Sequence, residues 1–485
     1  MKRIKYLSSL SAAMLMLLGG CSEWLNVNPR MELKGDIVYA DENGFKDVMN
    51  GIYLQMASGS LYGKNTCFYF QDLLAGLWYQ EPTGMVRERY IASYDYENSM
   101  VEDLITDIWS EYYTVIAHIN DLLANLEKTN VRFSYGNKEL LKGEAYGLRA
   151  YLHSEVLRLF GPVPAEAADA EVCIPYVTEL TRDPSKLLSL TYGEVKKMVL
   201  QDLDSAEVYL QHDPFLSASM KDLNDPLYGN AGLKDDWQYY RQTHFNTYAV
   251  DALRARFCQW IGDREQATVY ARKVVEVQAT EGEGNKFVLA NEANSYSNSK
   301  GKNLVFQCEH LFALHCSNHQ DKTEGVLVGS DLEAPTLRQY SFYINSIYEN
   351  DEGDIRNKSG RYFQIDGSWA SCLKYYGNGS IKPVNMIPLI RLSEMYLILI
   401  ENLPLEQARG YFNTFRQARG MSVNVKLDEQ RKQVEKEYRK DFFAEGQMFY
   451  YYKRRNMPGW NQPTQVTVPA GAFVVPKPKG QIVFE

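Results

Sequence analysis

Apolar residues recur every three or four positions over long stretches of this chain. The recurrence predicts helices at Gly44–Met56, Asp103–Leu126, Lys138–Phe160, Thr191–Leu210, His244–Trp260 and Arg264–Gln278. The helices come in pairs. In the clearest, Ala249, Leu253, Phe257 and Trp260 line one face, Gly262 and Asp263 break the pattern, and Ala267, Ala271, Val274 and Val275 line the next. Glycine ends a helix at little cost, and small alanines let two helices approach closely. A further pair is expected over Pro388–Arg419. Its first helix would carry Ile390, Leu392, Met395, Tyr396 and Leu399, its turn Asn402–Pro404, and its second helix Ala408, Tyr411, Phe412 and Phe415.

Such pairs resemble tetratricopeptide units, which bury their apolar faces by stacking on their neighbours. The predicted fold class is therefore mostly α: a tetratricopeptide-like helical-repeat scaffold, with long irregular loops and a few short strands. Scaffold is expected around 40–57, 100–211, 244–278 and 388–447. Between these lie 58–98, 211–243 and 279–387, rich in Gly, Asn, Ser, Asp and Tyr and without helical period, apart from short apolar runs such as Leu304-Val305-Phe306 that read as strands. Long loops in a compact protein usually carry function, so 58–98 and 279–387 are the expected ligand-binding regions.

The first residues have a different pattern. Lys2, Arg3 and Lys5 precede an apolar run from Tyr6 to Leu18, followed by Leu18-Gly19-Gly20-Cys21. The run is shorter than the roughly 20 apolar residues that a membrane span needs. It predicts a lipoprotein signal over 1–20, acylation of Cys21, and one domain over 21–485 tethered to a membrane. Charge and composition narrow the rest. A net charge of -9 with no basic stripe opposes nucleic-acid binding, and 45% hydrophobic residues fit a globular chain. Six scattered cysteines after Cys21 are read as buried thiols rather than a disulfide framework. The 35 Tyr and 7 Trp exceed ordinary packing needs, and sugar rings, with apolar faces and hydroxylated rims, are candidates to stack on them.

Several motifs then resemble the SusD/RagB family. They are Cys21-Ser-Glu-Trp-Leu-Asn-Val-Asn-Pro29, Leu148-Arg149-Ala150-Tyr151 leading to Arg158-Leu-Phe-Gly-Pro-Val-Pro164, and Asp202-Leu203-Asp204-Ser205-Ala206. In the C-terminal half they are Arg391-Leu-Ser-Glu-Met-Tyr-Leu397, Phe415-Arg-Gln-Ala-Arg-Gly420, Phe443-Ala-Glu-Gly-Gln447 and Phe473-Val-Val-Pro476. The resemblance implies a scaffold of about four helix pairs, and a surface lipoprotein of the outer membrane, not an enzyme and without a cofactor, that captures an oligosaccharide or in some branches a peptide. Its implied partner is a SusC-like TonB-dependent transporter. The acidic cue after the lipidated cysteine is only Ser22-Glu23, so the outward orientation is implied mainly by the resemblance. Arg149, Glu394, Arg416, Glu445 and Arg455 are expected to make internal pairs.

The resemblance also points to ligand-contacting positions. Trp78 or Tyr79 occupies the place of a glycan-stacking Trp in the starch-binding member. The loop from His310 to Gln320 maps to a ligand-contacting loop, which makes His315 a candidate, and Tyr340 or Tyr343 to a further aromatic. Histidines where a Tyr would be expected point away from starch. Tyr296, Trp237 and Trp369 are additional loop aromatics. Cys308, His310, His315, Cys316 and His319 have zinc-ligand types but no C-x-x-C or H-E-x-x-H spacing, so no metal site is expected. The acidic run Glu349–Asp354 departs from the EF-hand order and is read as a solvated turn. Nominal carboxylate pairs leave a surface glycoside hydrolase as the rival reading.

Overall fold

The computed structural model describes residues 35–482, apart from 82, 182, 184–186, 228–231, 280–283, 296–302, 330–333, 358–361, 377–384, 424–426 and 462–464. The signal, Cys21 and Tyr296 lie outside the described residues.

Four helix pairs follow one another along the chain: α1 (Glu42–Met56) and α2 (Ser99–Lys128), α3 (Asn137–Phe160) and α4 (Tyr192–Tyr209), α5 (Thr247–Ile261) and α6 (Arg264–Val275), α7 (Leu392–Asn402) and α8 (Leu405–Ala418). Each helix packs on the next across α2 to α8, so the pairs form one stack. Two more helices, α9 (Leu427–Asp441) and α10 (Met448–Arg454), close the C-terminal side. The predicted boundaries differ by a few residues, and local chemistry explains where helices end. Thr191 and Glu194 form a reciprocal capping box on α4, and Asn246 accepts from Tyr248 N and Ala249 N to cap α5. Gly262 ends α5 at φ +86°, and Asp263 then caps α6.

Helix α3 is buried nearly all round although its sequence is not uniformly apolar. Two glycines and a set of ion pairs make this possible. A Cβ on Gly147 would lie 2.1 Å from Cδ1 of Phe245, so only glycine admits that ring. The polar side chains are paired: Arg149 with Asp202, Arg158 with Glu155, and Glu144 with Arg241 and His244.

Two strand assignments differ from expectation. Leu304-Val305-Phe306 is not a strand, because Phe306 adopts φ +53° and turns the chain; the strand β1 (His310–His315) begins four residues later. Pro388 lies not in a helix but in β5 (Met386–Arg391), antiparallel to β1, with His310 opposite Arg391 and His315 opposite Met386. All six β5 residues are buried, Arg391 included, and a short run of five apolar residues fits a buried strand as well as a helix. A second sheet has the order β2 (Gln339–Tyr340), β4 (Trp369–Cys372), β3 (Phe363–Asp366), all antiparallel.

An ionic web in the interior joins this sheet to the helices. Arg356 meets Asp354, Glu437 and Asp441 at 2.8–2.9 Å. Arg391 meets Glu309, Asp441 and Glu445, and Arg419 meets Glu309 and Asp441. Lys374 pairs with Glu445 and donates to Phe443 O. Burial alone would raise the Asp441 carboxyl, but Arg419, Arg391 and Arg356 hold it well below the usual carboxylate range. Asp354 thus corrects the reading of 349–354 as a solvated turn: its carboxylate is buried, and Glu349 pairs with Lys436 and Lys440.

Candidate functional site

An aromatic platform forms where three segments meet at the edge of the second sheet. The chain bends at Trp78, and the two adjacent rings end in different surroundings. Trp78 points inward, only 2% exposed, with its Nε1 donating to Phe68 O at 2.9 Å and its ring edge-on to Phe443 at 4.8 Å. Tyr79 is half-buried and faces the sheet. The segment is fastened by Tyr79 N donating to Arg338 O (2.8 Å) and Gln339 Nε2 donating to Leu77 O (3.1 Å). Trp78 is therefore a core residue, and its expected role as a stacking ring does not fit this placement.

The antiparallel register sets Tyr340 opposite Trp369, and their rings stack at 4.3 Å with 20° between planes. Tyr79 meets both edge-on, at 4.9 and 5.0 Å. Beyond Tyr340 the chain enters the short helix Ser341–Ile347, whose first turn presents Phe342 and Tyr343, with ring centroids 4.1 Å apart. Phe342 is 57% exposed and lies 5.4 Å from Tyr340 at 22°. Four of these rings are half-buried, so their edges are held while other surface remains open. The β3–β4 hairpin that carries Trp369 turns through Gly367 and Ser368, with Gly367 at φ +56°.

Polar groups rim the rings. The guanidinium of Arg338 lies 3.7 Å over the Trp369 ring and, among the described residues, has no carboxylate partner. The Tyr79 hydroxyl lies 3.4 Å from Glu81, and Asp366 is the register partner of Trp369. Stacked rings with donors and acceptors at the rim suit a ligand with apolar faces and hydroxylated edges. Arg338 and Phe342 were not singled out from sequence. Only the i, i+2 spacing of Arg338 from Tyr340 on one strand face could have suggested the first.

The other candidates separate. His315 is exposed at the end of β1 and, among the described residues, makes no ring contact with the platform. His310 and His319 are interior groups. Burial pushes their imidazoles down to about 3 and about 4, and His310 Nε2 bonds to Val305 O. Trp237 is buried, donating to Glu144. Arg149, Glu394, Arg416, Glu445 and Arg455 pair with Asp202, Arg256, Glu437, Arg391 and Glu401 respectively. Among the described residues no group of three or more His, Cys, Asp or Glu side chains could hold a metal ion, and no helix is long and apolar enough to cross a membrane. Among the described residues no disulfide joins the six cysteines; five are buried and Cys308 is partly so.

Residues 23–258 match a SusD-like family model described as starch-binding associating with outer membrane. Solved structures share the fold over nearly the whole chain. A SusD superfamily protein from Bacteroides thetaiotaomicron VPI-5482 is 20% identical with a TM-score of 0.70, covering 91% of this chain and 97% of that one. A SusD-like carbohydrate binding protein from Bacteroides vulgatus ATCC 8482 is 17% identical with a TM-score of 0.62, covering 86% and 83%. A laminarin binding SusD-like protein is 17% identical with a TM-score of 0.61, covering 92% and 98%. No curated protein is significantly similar in sequence.

Proposed function

We propose that this chain, whose residues 23–258 match a SusD-like family model, acts as a SusD-like protein and captures an oligosaccharide on the platform of Tyr79, Tyr340, Phe342, Tyr343 and Trp369. The observation that carries this reading is the convergence of five rings from separate segments beside a guanidinium that has no carboxylate partner among the described residues. Each stacked ring contributes on the order of 1 kcal/mol beyond area burial, so two or three give weak, reversible capture. Arg338 would donate to ring hydroxyls and orient the chain of sugars. The family description and the named binding partner of the laminarin-binding relative support a sugar as the ligand class.

The tether at Cys21 places the domain 21–485 at the outer membrane, facing outward, beside a SusC-like TonB-dependent transporter that receives the cargo. A tethered lid acts at high effective concentration, which compensates for weak affinity. Isothermal titration against a panel of plant and host glycans tests the reading. Wild type is expected to bind at least one, and Trp369→Ala to weaken that binding at least about tenfold, the equivalent of about 1.4 kcal/mol. Binding of peptides but no glycan would move the reading to peptide capture. New reducing ends after incubation with the bound glycan would move it to a hydrolase.

A further inference from the structure

Away from the platform, where α3, α5, α7, α9 and α10 meet, lies a cavity of about 30 Å³. Its lining includes Arg158, Arg256, Gln259, Trp260, Glu394 and Tyr450. Arg158 Nε, Arg256 Nη1, Gln259 Nε2 and Trp260 Nε1 are all buried and have no hydrogen-bond partner among the described residues. All four are donors, and the arginine and tryptophan groups have no acceptor form. A buried N–H without an acceptor is costly, so four of them around one small space form a coherent signal.

The neighbouring carboxylates are already engaged. Arg158 uses Nη1 for Glu155 (2.5 Å) and Nη2 for Gln447 (2.9 Å). Arg256 uses Nε and Nη2 for Glu394 (2.8 and 2.6 Å), and its Nη2 also reaches Leu389 O (2.7 Å). Only a loose approach of Arg256 Nη1 to Glu155, at 3.7 Å, adds to these. Lys453 next along α10 donates to the carbonyls of Leu159 and Gly161 and, among the described residues, has no carboxylate partner. Burial and the charge of Arg158 push its amine well down. What meets at the cavity is thus two ion-paired guanidiniums and four N–H groups without an acceptor among the described residues.

A water molecule accepts two hydrogen bonds and must place two protons of its own, whereas a monatomic anion accepts from every side. The volume admits one particle of about water size. We propose that this cavity is a binding site for a single monovalent anion of chloride size, held by Arg158, Arg256, Gln259 and Trp260. The ion ties α3 in the N-terminal half to α5 and to the closing helices α7, α9 and α10. It stabilises the folded state by mass action and leaves the platform's ligand unaffected.

Diffraction from crystals of the full chain grown with sodium bromide in place of chloride tests the assignment through bromide anomalous scattering. The expected result is one buried bromide within hydrogen-bond distance of Arg158 Nε, Arg256 Nη1 and Trp260 Nε1. A water at that position without anomalous signal overturns the proposal. In solution at constant ionic strength, exchanging gluconate, too bulky for the cavity, for chloride should raise Tm by roughly 1–2 °C. In Trp260→Phe, which loses one donor, the rise should be smaller. Equal Tm in both salts for wild type likewise overturns it.

Discussion

The indole of Trp369 lies flat on the phenol ring of Tyr340, 4.3 Å apart, because the two are register partners across β2 and β4. The strand that carries Trp369 is set by the β3–β4 hairpin turn, in which Gly367 adopts φ +56° with no atom within 4 Å of a would-be Cβ. Backbone conformation alone therefore selects glycine there. Asparagine tolerates this region and valine does not. Gly367→Asn is expected to bind glycan within about twofold of wild type, and Gly367→Val to lose about fivefold or more, as one slipped residue would turn the indole to the other face. Titration calorimetry on both variants checks this.

Trp78 and Tyr79 differ in role despite being neighbours. Trp78→Ala removes a fully buried ring and is expected to cost about 3–5 kcal/mol of stability. The affinity of the remaining folded protein should stay within about threefold. Denaturant unfolding and calorimetry on the same sample separate the two effects.

Gly147 is irreplaceable for a packing reason. Gly147→Ala would force its Cβ against Phe245 and should cost at least about 2 kcal/mol. Phe245→Leu in the same chain should recover part of that loss, which a double-mutant cycle measured by urea unfolding would show as a coupling of about 1 kcal/mol.

Acid should destabilise the fold well before carboxylates titrate. Burial lowers His153 to about 3, His310 to about 3 and His319 to about 4. His153 is neutral with Nε2 accepting from Val177 N (3.0 Å) and Nδ1 donating to Arg149 O (2.9 Å). These are bases whose folded values lie below the unfolded one, so the unfolded chain takes up protons that the folded chain refuses. Stability is full above about pH 6.5 and falls as pH drops toward 4, with a limiting slope of about 4 kcal/mol per pH unit for the three together. Below about pH 4.5 Glu144 adds to the loss. Burial raises its carboxyl, but Arg241 and His244 outweigh that and hold it at about 2. Urea unfolding at pH 7.5, 6.0 and 5.0 gives the slope.

The helical stack was legible because its chemistry is local: apolar period, Gly262 and Asp263 at one junction, and alanines at the close approach of α5 and α6. The motif charges were readable as internal pairs for a related reason: Arg149, Glu394 and Arg416 sit on helices with buried faces, and Glu445 and Arg455 lie in turns at the two ends of α10. The platform was legible only in part. Tyr79, Tyr340 and Tyr343 were named as candidates, but the segment has no period, so Trp78 and Tyr79 could not be told apart without knowing which way the chain bends there. The Tyr340–Trp369 pairing depends on register across an aperiodic stretch, and Arg338 carries no local signal. Asp354 was misread because Arg356 beside it is completed by Glu437 and Asp441, 81 and 85 residues further on.

The ionic web makes assembly depend on the end of the chain. Arg356, Arg391 and Arg419 are synthesised before Glu437, Asp441 and Glu445, which neutralise them in the interior. Three guanidiniums cannot enter an apolar core without counter-charge. A chain ending before residue 437 keeps only Asp354 for Arg356 and Glu309 for Arg391 and Arg419, so it holds the segment that bears Tyr340 and Trp369 less firmly, although all four helix pairs precede the cut. The last residues to be made therefore fasten the platform as well as closing the stack: a truncated product would keep its helices and carry a loosened surface.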